Sequence, residues 1–333
     1  MLRFLKPACL ILLLLNTTTL YADESQRIVD NPLIVSLIND MVKKHGFDKQ
    51  YLISVFSKAE FKPEIIERIN RPAESWPWYR YRKLFLKQKR IEQGVQFWKK
   101  NEKVLQRAEK TFGVPAQIIV AILGVETRYG RNKGQFRLID SLSTLVVDYP
   151  KRSNFFKKEL EQLLLLAREE KFDPLSLTGS YAGAMGKPQF IASSYRHYAI
   201  DFDHDGVRDL LSDTADAVGS VASYLARHGW VRGETIAAEA SISGNRYKKL
   251  IQKGLKPQLK FASFKSYGVQ SNTAIRPDWN AALIELEKTK TSQEQWIVLQ
   301  NFYAITRYNH SPLYAMAAFQ LGESIKALKN KQT

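Results

Sequence analysis

Between Val114 and Val125 the chain is almost wholly apolar, with Gln117 the one polar side chain, and the run ends on Glu126 and the turn Thr127-Arg-Tyr-Gly130. A helix that is apolar on every side has to be enclosed, so the rest of the chain must build a core around this segment. Pro115 stands at a tolerated first-turn position. Ile119, Ile122 and Leu123 lie seven, four and three residues before Glu126 and share its helical face. The expectation is a glutamate pointing into a core or a cleft. Burial there disfavours the charged form and raises a carboxyl pKa, which suits a general acid near neutral pH. A solvated glutamate in a last helical turn fits the same local pattern.

Residues 1–22 read as a secretory signal. Arg3 and Lys6 give a positive start, Ala8 to Leu15 a short apolar run, and Leu20-Tyr21-Ala22 a small-residue cleavage site. The apolar run is too short to span a bilayer. Cys9 is the only cysteine, and it precedes that run, so a lipoprotein anchor is not expected. A mature chain from about Asp23 then has no cysteine, which excludes disulfides, cysteine nucleophiles and Cys-ligated zinc. The full chain carries 50 Lys+Arg against 33 Asp+Glu, a net charge of +17. An exported basic protein is drawn to polyanions such as acidic wall polymers or an anionic membrane surface. Nucleic acid is not an expected partner, since zinc-finger spacing, RNP-type aromatics and a concentrated basic arm are all missing from the sequence.

Helical signals dominate. Pro32 to His45 reads as a helix closed by Gly46, Asp48 to Ser57 as a second, and Tyr79 to Thr111 as one long amphipathic segment bent near Gly94. Ser153 to Lys171, Asp216 to His228 and Ser311 to Lys329 follow. Gly233 to Trp279 is richer in Gly, Ser and Pro with broken periodicity, and Leu259 to Val269 is expected to hold short strands. The expected organisation is a helical domain over residues 23–113, a core over 114–232, a small irregular or α/β lobe over 233–294, and C-terminal helices over 295–333 that complete the core.

Three further motifs carry chemistry. Gly179-Ser-Tyr-Ala-Gly-Ala-Met-Gly-Lys-Pro-Gln-Phe190 has too many small residues for a regular element, and such loops allow close backbone approach to a ligand. Asp201-Phe-Asp-His-Asp-Gly-Val207 places acids at loop positions 1, 3 and 5 with Gly at 6, the first half of an EF-hand calcium loop. Position 12 is Ser212 rather than Glu, and Asp216 is a candidate late carboxylate. An Asp-rich turn capping the next helix is the alternative, but gathering three unpaired carboxylates is repulsive without a cation. Aromatic clusters stand at Trp76-Pro-Trp-Tyr-Arg-Tyr81 and at Arg307-Tyr-Asn-His-Ser311 with Tyr314. Rings that stack on sugar faces, together with Asn, Gln and Arg groups that bond hydroxyls, point jointly with Glu126 to a carbohydrate site.

Gly124-Val-Glu-Thr-Arg-Tyr-Gly130, the glycine-rich loop, the Asp201 loop running into Asp216-Ala-Val-Gly-Ser-Val-Ala-Ser-Tyr224, His228-Gly-Trp230 and Arg307-Tyr-Asn309 occur in one order. From about Trp76 to Tyr314 this combination closely resembles the lytic murein transglycosylase B family. The resemblance implies a mainly α (α+β) fold: a lysozyme-like catalytic core with an EF-hand-like calcium loop, a helical domain and a small α/β lobe. It implies cleavage of the β-1,4 bond between N-acetylmuramic acid and N-acetylglucosamine, with Glu126 as catalytic acid/base. Tyr81, Arg152, Ser180, Gln189, Tyr224, Tyr308, Asn309 and Tyr314 would line the sugar subsites. Asp201, Asp203, Asp205, the Val207 carbonyl and Asp216 would hold a structural calcium, with no organic cofactor. Peptidoglycan glycan strands are the expected partner, a periplasmic monomer the expected state, and peripheral contact with an anionic membrane surface an open expectation. Lys187 and His204 are departures within matching motifs and are given no role.

Most glycosidases use two carboxylates. One stands out here, which is enough where the substrate's own C6 hydroxyl is the nucleophile. A hydrolytic muramidase is the nearest alternative and would need a second carboxylate, with Asp140 and Asp148 as candidates. A calcium-stabilised scaffold that binds murein without cutting it is the alternative from another class.

Overall fold

The computed structural model describes residues 26–70 and 76–332, so the signal-peptide reading at residues 1–22 lies outside the described residues. The helices, in chain order, are α1 (Pro32–His45), α2 (Lys49–Phe56), α3 (Pro63–Ile69), α4 (Trp78–Phe85), α5 (Gln88–Lys100), α6 (Glu102–Phe112), α7 (Ala116–Thr127), α8 (Leu138–Asp148), α9 (Ser153–Glu169), α10 (Ala192–Tyr198), α11 (Thr214–Arg227), α12 (Lys248–Ile251), α13 (Gln300–Tyr308) and α14 (Pro312–Lys331). The strands are β1 (Phe136–Arg137), β2 (Thr178–Gly179), β3 (Ala237–Ile242), β4 (Leu259–Lys260), β5 (Val269–Ser271), β6 (Asn280–Glu287) and β7 (Gln293–Val298). Two compact units result. The first takes in the described residues up to 70 with 134–185 and 189–197, and the second 76–133, 186–188 and 198–332.

In the first unit α1 forms where the sequence places its signals. Asn31 accepts a bond from the Leu33 amide at the N-cap, Pro32 is the first residue, and Gly46 closes the helix at φ 65°. Asp48 caps α2 in the same way. Helix α8 is buried along nearly its whole length and packs against α9, α3 and α1. Its Asp140 is 2% exposed and is held by Arg137 through two bonds of 2.7 and 2.9 Å, while also accepting the Glu60 amide at 2.9 Å. A buried carboxylate satisfied on both oxygens is a structural group.

The second unit is built around α7, whose residues from Ile118 to Gly124 are all buried. It packs against α14, α5, α6 and α11. No single helix among the described residues is long and apolar enough to cross a membrane. The segment Tyr79 to Thr111 is three helices rather than one bent helix, broken at Leu86-Lys87 and at Asn101. Gly94 lies inside α5 and bends nothing. It is glycine because α14 and Tyr129 press on it: a Cβ there would sit 2.5 Å from Ile325 Cδ1 and 2.7 Å from the Tyr129 hydroxyl.

The lobe of the second unit is a five-stranded antiparallel sheet in the order β4-β6-β7-β3-β5. Its core joins Leu283, Ile297, Leu299, Phe264, Val269 and Leu250. Short strands β4 and β5 flank a 3-10 turn, Phe261–Tyr267, within and just past the stretch where strands are expected. The longest strand, β6, and its neighbour β7 lie beyond that stretch. Ala281 to Ile284 are buried on both faces, so β6 lacks the alternation that marks a half-buried strand.

Candidate active site

Glu126 lies in the last turn of α7, half-buried, directly before an unusual reversal of the chain. Arg128, Tyr129 and Gly130 take φ values of 50°, 64° and 85°, two of them non-glycine residues in the left-handed region. Three hydrogen bonds and a ring stack hold this strained turn. Thr127 Oγ1 donates to the Lys187 carbonyl at 2.8 Å and accepts the Gly130 amide at 2.9 Å. The Tyr129 hydroxyl donates to the Arg90 carbonyl at 2.8 Å, and its ring stacks on Phe97 at 5.6 Å. Gly124 leaves room for that ring, since a Cβ there would lie 2.6 Å from Tyr129 Cε1. Burial pushes the Tyr129 phenol well above its ordinary range, so it stays a donor. Gly124, Thr127, Tyr129 and Gly130 of the Gly-Val-Glu-Thr-Arg-Tyr-Gly run thus each have a mechanical part in setting the Glu126 carboxylate at a helix end.

The Tyr314 hydroxyl donates to Glu126 Oε1 at 2.5 Å, from the first turn of α14, where Ser311 caps the helix. The Tyr314 ring runs parallel to that of Tyr308, 6.3 Å away at 7°. Tyr308, in the last turn of α13, donates to the Pro188 carbonyl at 2.6 Å and meets Tyr224 of α11 edge-on at 4.9 Å. Tyr224 donates to the Arg307 carbonyl at 2.5 Å. Burial, then the charge of Glu126, raises the phenols of Tyr308 and Tyr314 well above their ordinary value, while burial and Tyr198 push Tyr224 up to about 12. Tyr81 of α4 is buried, on a helix that packs against α14. Four of the anticipated residues, Glu126, Tyr224, Tyr308 and Tyr314, therefore form one connected line, with Tyr81 beside it.

The others are placed separately. Asn309 is the extended residue that ends α13, its carbonyl accepting the Ser311 amide at 2.7 Å. Arg152, Ser180 and Gln189 belong to the first unit. The Arg152 guanidinium lies 4.2 Å over the Phe155 ring. Ser180 Oγ accepts the Ala184 amide at 3.0 Å and its own amide donates to the Ala184 carbonyl, so it pins the glycine-rich loop. Gln189 sits at φ 52° between Met185 and Phe190, which exchange a pair of backbone bonds.

The acidic loop gathers Asp201, Asp203 and Asp205 so that one carboxylate oxygen of each lies within 4.8 Å of the others. Asp201 accepts the amides of His204 and Gly206, and Gly206 turns the loop at φ 92°. Desolvation and the neighbouring charges of Asp205 and Asp213 raise the Asp203 carboxyl, a sign of crowded like charge. Asp216 is not part of that gathered trio. It is buried at the start of α11, where its two oxygens accept the amides of Phe202 at 2.6 Å and Asp209 at 2.7 Å and so tie both ends of the loop to the helix. Three converging carboxylates and a glycine turn fit a hard divalent cation with oxygen ligands.

Comparison with known proteins places the chain. The family described as Transglycosylase SLT domain matches residues 30–323. The chain belongs to that family. It is 42% identical, over 306 residues, to the membrane-bound lytic murein transglycosylase B of Escherichia coli (strain K12), covering 89% of this chain and 83% of the relative. The soluble lytic transglycosylase SltB1 from Pseudomonas aeruginosa superposes with a TM-score of 0.84 at 45% identity, over 90% of this chain and all (100%) of that one. The Escherichia coli lytic transglycosylase Slt35, solved in complex with calcium, gives 0.81 at 41%, over 90% and 94%. SltB3 from Pseudomonas aeruginosa, in complex with NAG-anhNAM-pentapeptide, gives 0.77 at 30%, over 87% and 78%. The fold is the mainly helical, lysozyme-like one of these transglycosylases, with its sheet lobe.

Within this SLT-domain chain, sequence reasoning passed over residues that build the site. Tyr198 and His228 extend the tyrosine line, meeting Tyr224 at 4.8 and 4.0 Å. His228 lies in a motif that the resemblance had already singled out. Lys187, given no role from sequence, donates its ammonium to the Ser212 carbonyl, while Lys133 donates to that of Leu211 at 2.7 Å. Both lysines cap carbonyls at the end of the acidic loop, an arrangement that only the folded chain displays.

Proposed function

We propose that this chain cleaves the β-1,4 bond between N-acetylmuramic acid and N-acetylglucosamine, with Glu126 as its single acid–base group, and leaves 1,6-anhydromuramic acid ends. The chain is a lytic transglycosylase acting on peptidoglycan, by family and by its likeness to lytic transglycosylases over most of its length. The observation that carries the mechanism is the hydrogen bond from the buried Tyr314 phenol to Glu126 Oε1, which fixes a lone catalytic carboxyl at the end of an apolar helix.

Protonated Glu126 gives its proton to the glycosidic oxygen as the C1–O bond breaks and positive charge develops at C1. The carboxylate that results then takes the proton of the C6 hydroxyl of the same muramic residue. That oxygen attacks C1 and closes the 1,6-anhydro ring, and Glu126 is protonated again. Intramolecular attack benefits from a high effective concentration, which replaces a second catalytic carboxylate. The two carboxylates weighed for that second part are engaged elsewhere, Asp140 with Arg137 and Asp148 with Arg27. Tyr81, Tyr224, Tyr308 and Asn309, with Arg152, Ser180 and Gln189, are assigned to sugar binding.

Asp201, Asp203, Asp205 and the Val207 carbonyl would hold calcium, with Asp216 supporting the loop base as a further carboxylate. The ion supplies structural rigidity to the loop and to the start of α11. The protein belongs to the cell envelope, and the compartment assigned is the periplasm. Replacing Glu126 with Gln tests the core of the reading: sedimentation with murein should persist while turnover falls by about 10²- to 10⁴-fold, the ordinary worth of a general acid–base group. Retention of more than a tenth of the turnover would remove Glu126 from this role.

A further inference from the structure

The second unit has another concave surface, outside the Glu126 line. Tyr79, Arg82, Lys83 and Leu86 share one face of α4, at spacings of three, one and three residues. With Lys288, Thr289 and Lys290 of the turn after β6 they line a groove of about 490 Å³. Among the described residues, four cations and no carboxylate line it. The Arg82 guanidinium rests 5.6 Å over Trp78, and none of the four cations is ion-paired with a described carboxylate. The surrounding stretch from Tyr79 to Arg90 holds six Lys/Arg and no Asp/Glu. Buried Tyr81 lies on the opposite face of α4, and α4 packs against α14, which carries Tyr314, the partner of Glu126. The groove and Tyr81 thus lie on two faces of one helix, itself about 10 Å across.

We infer that this groove binds the free carboxylates of the peptide carried by the muramic acid, and so selects peptide-bearing strands; the inference rests on the transglycosylase reading above. Charge complementarity points to an anionic ligand. The concave shape points to a discrete chain rather than a flat lipid surface. Tyr79 and Leu86 supply an apolar floor for small side chains between the carboxylates. A stem of five residues spans up to about 17 Å when extended, more than the width of α4. Because the cations are at the surface, their contribution is to affinity and selection rather than to the chemical step.

The test is the quadruple variant Arg82→Gln/Lys83→Gln/Lys288→Gln/Lys290→Gln, assayed for anhydro-product release on soluble peptide-bearing strands and on the same strands stripped of peptide by an amidase. On peptide-bearing strands KM should rise about tenfold with kcat unchanged, the combined effect of several exposed charge contacts. On stripped strands both constants should match the wild type. A double variant, Lys288→Glu/Lys290→Glu, should exceed the effect of neutralising those two positions. Equal losses on both substrates, or no change on either, would overturn the inference. So would a variant that loses sedimentation with phosphatidylglycerol vesicles while keeping its KM on peptide-bearing strands, which would assign the groove to a membrane. Absence of anhydro products from the wild type on both substrates would instead overturn the transglycosylase reading, and the inference with it.

Discussion

The Tyr314 phenol takes one oxygen of Glu126 at 2.5 Å, so the carboxyl rotamer is set before substrate arrives. Removing that hydroxyl with Tyr314→Phe should lower kcat about tenfold with little change in KM, since a hydrogen bond to a charged group is worth roughly 1.5–3 kcal/mol and part of it is retained by packing. A KM effect without a kcat effect would make Tyr314 a sugar contact only. The pH dependence follows from the direction of the phenol shifts. Tyr314 and Tyr308 are raised above their ordinary value by burial and by Glu126, so the neutral, donating form persists beyond about pH 10. The alkaline limb of the wild-type rate profile below that pH should therefore persist in Tyr314→Phe, displaced because the carboxylate has lost a donor. A limb that vanishes with the hydroxyl would show that the phenol titrates in the working range.

Among the elements, the turn after α7 and the acidic loop decide whether the site is assembled. In Gly124→Ala the new methyl would meet the Tyr129 ring, which Phe97 and the Arg90 carbonyl hold in place. Such overpacking typically costs about 1–3 kcal/mol, and denaturant unfolding should show a loss in that range together with reduced turnover. Unchanged stability would mean that Tyr129 leaves its position freely. Calcium at about a hundred times its Kd should stabilise the protein by about 2.7 kcal/mol if the unfolded chain does not bind it. A chelator, or Asp201→Asn with Asp205→Asn, should remove that gain in a thermal scan, whereas a Tm indifferent to calcium would leave the loop a capped turn. Legibility from sequence differed sharply between elements. Helix α1 announces itself through Asn31, Pro32 and Gly46, and the acidic loop through its spacing. Helix α8 and strand β6 do not, because burial on nearly every side erases the periodicity by which helices and strands are read. Gly94 misleads for a related reason: a glycine required by a distant Ile325 looks locally like a helix breaker.

For the whole molecule, the net charge of +17 suits a polyanionic wall, and the groove beside α4 shows where part of that charge is concentrated. Glu126 was legible as a candidate because a carboxylate at the end of an apolar helix is chemically conspicuous. Its partners were legible only through family resemblance, since Tyr308 and Tyr314 reach it from residues far along the chain and no local pattern encodes that meeting. In the proposed mechanism one carboxylate and an internal nucleophile do the work of two carboxylates. It is tested most directly by mass spectrometry of the soluble products from purified murein sacculi, with Glu126→Gln run alongside the wild-type protein. Products ending in 1,6-anhydromuramic acid are expected from the wild type and essentially none from the variant. Hydrated reducing ends from the wild type would contradict it, because water rather than the C6 hydroxyl would then be the nucleophile.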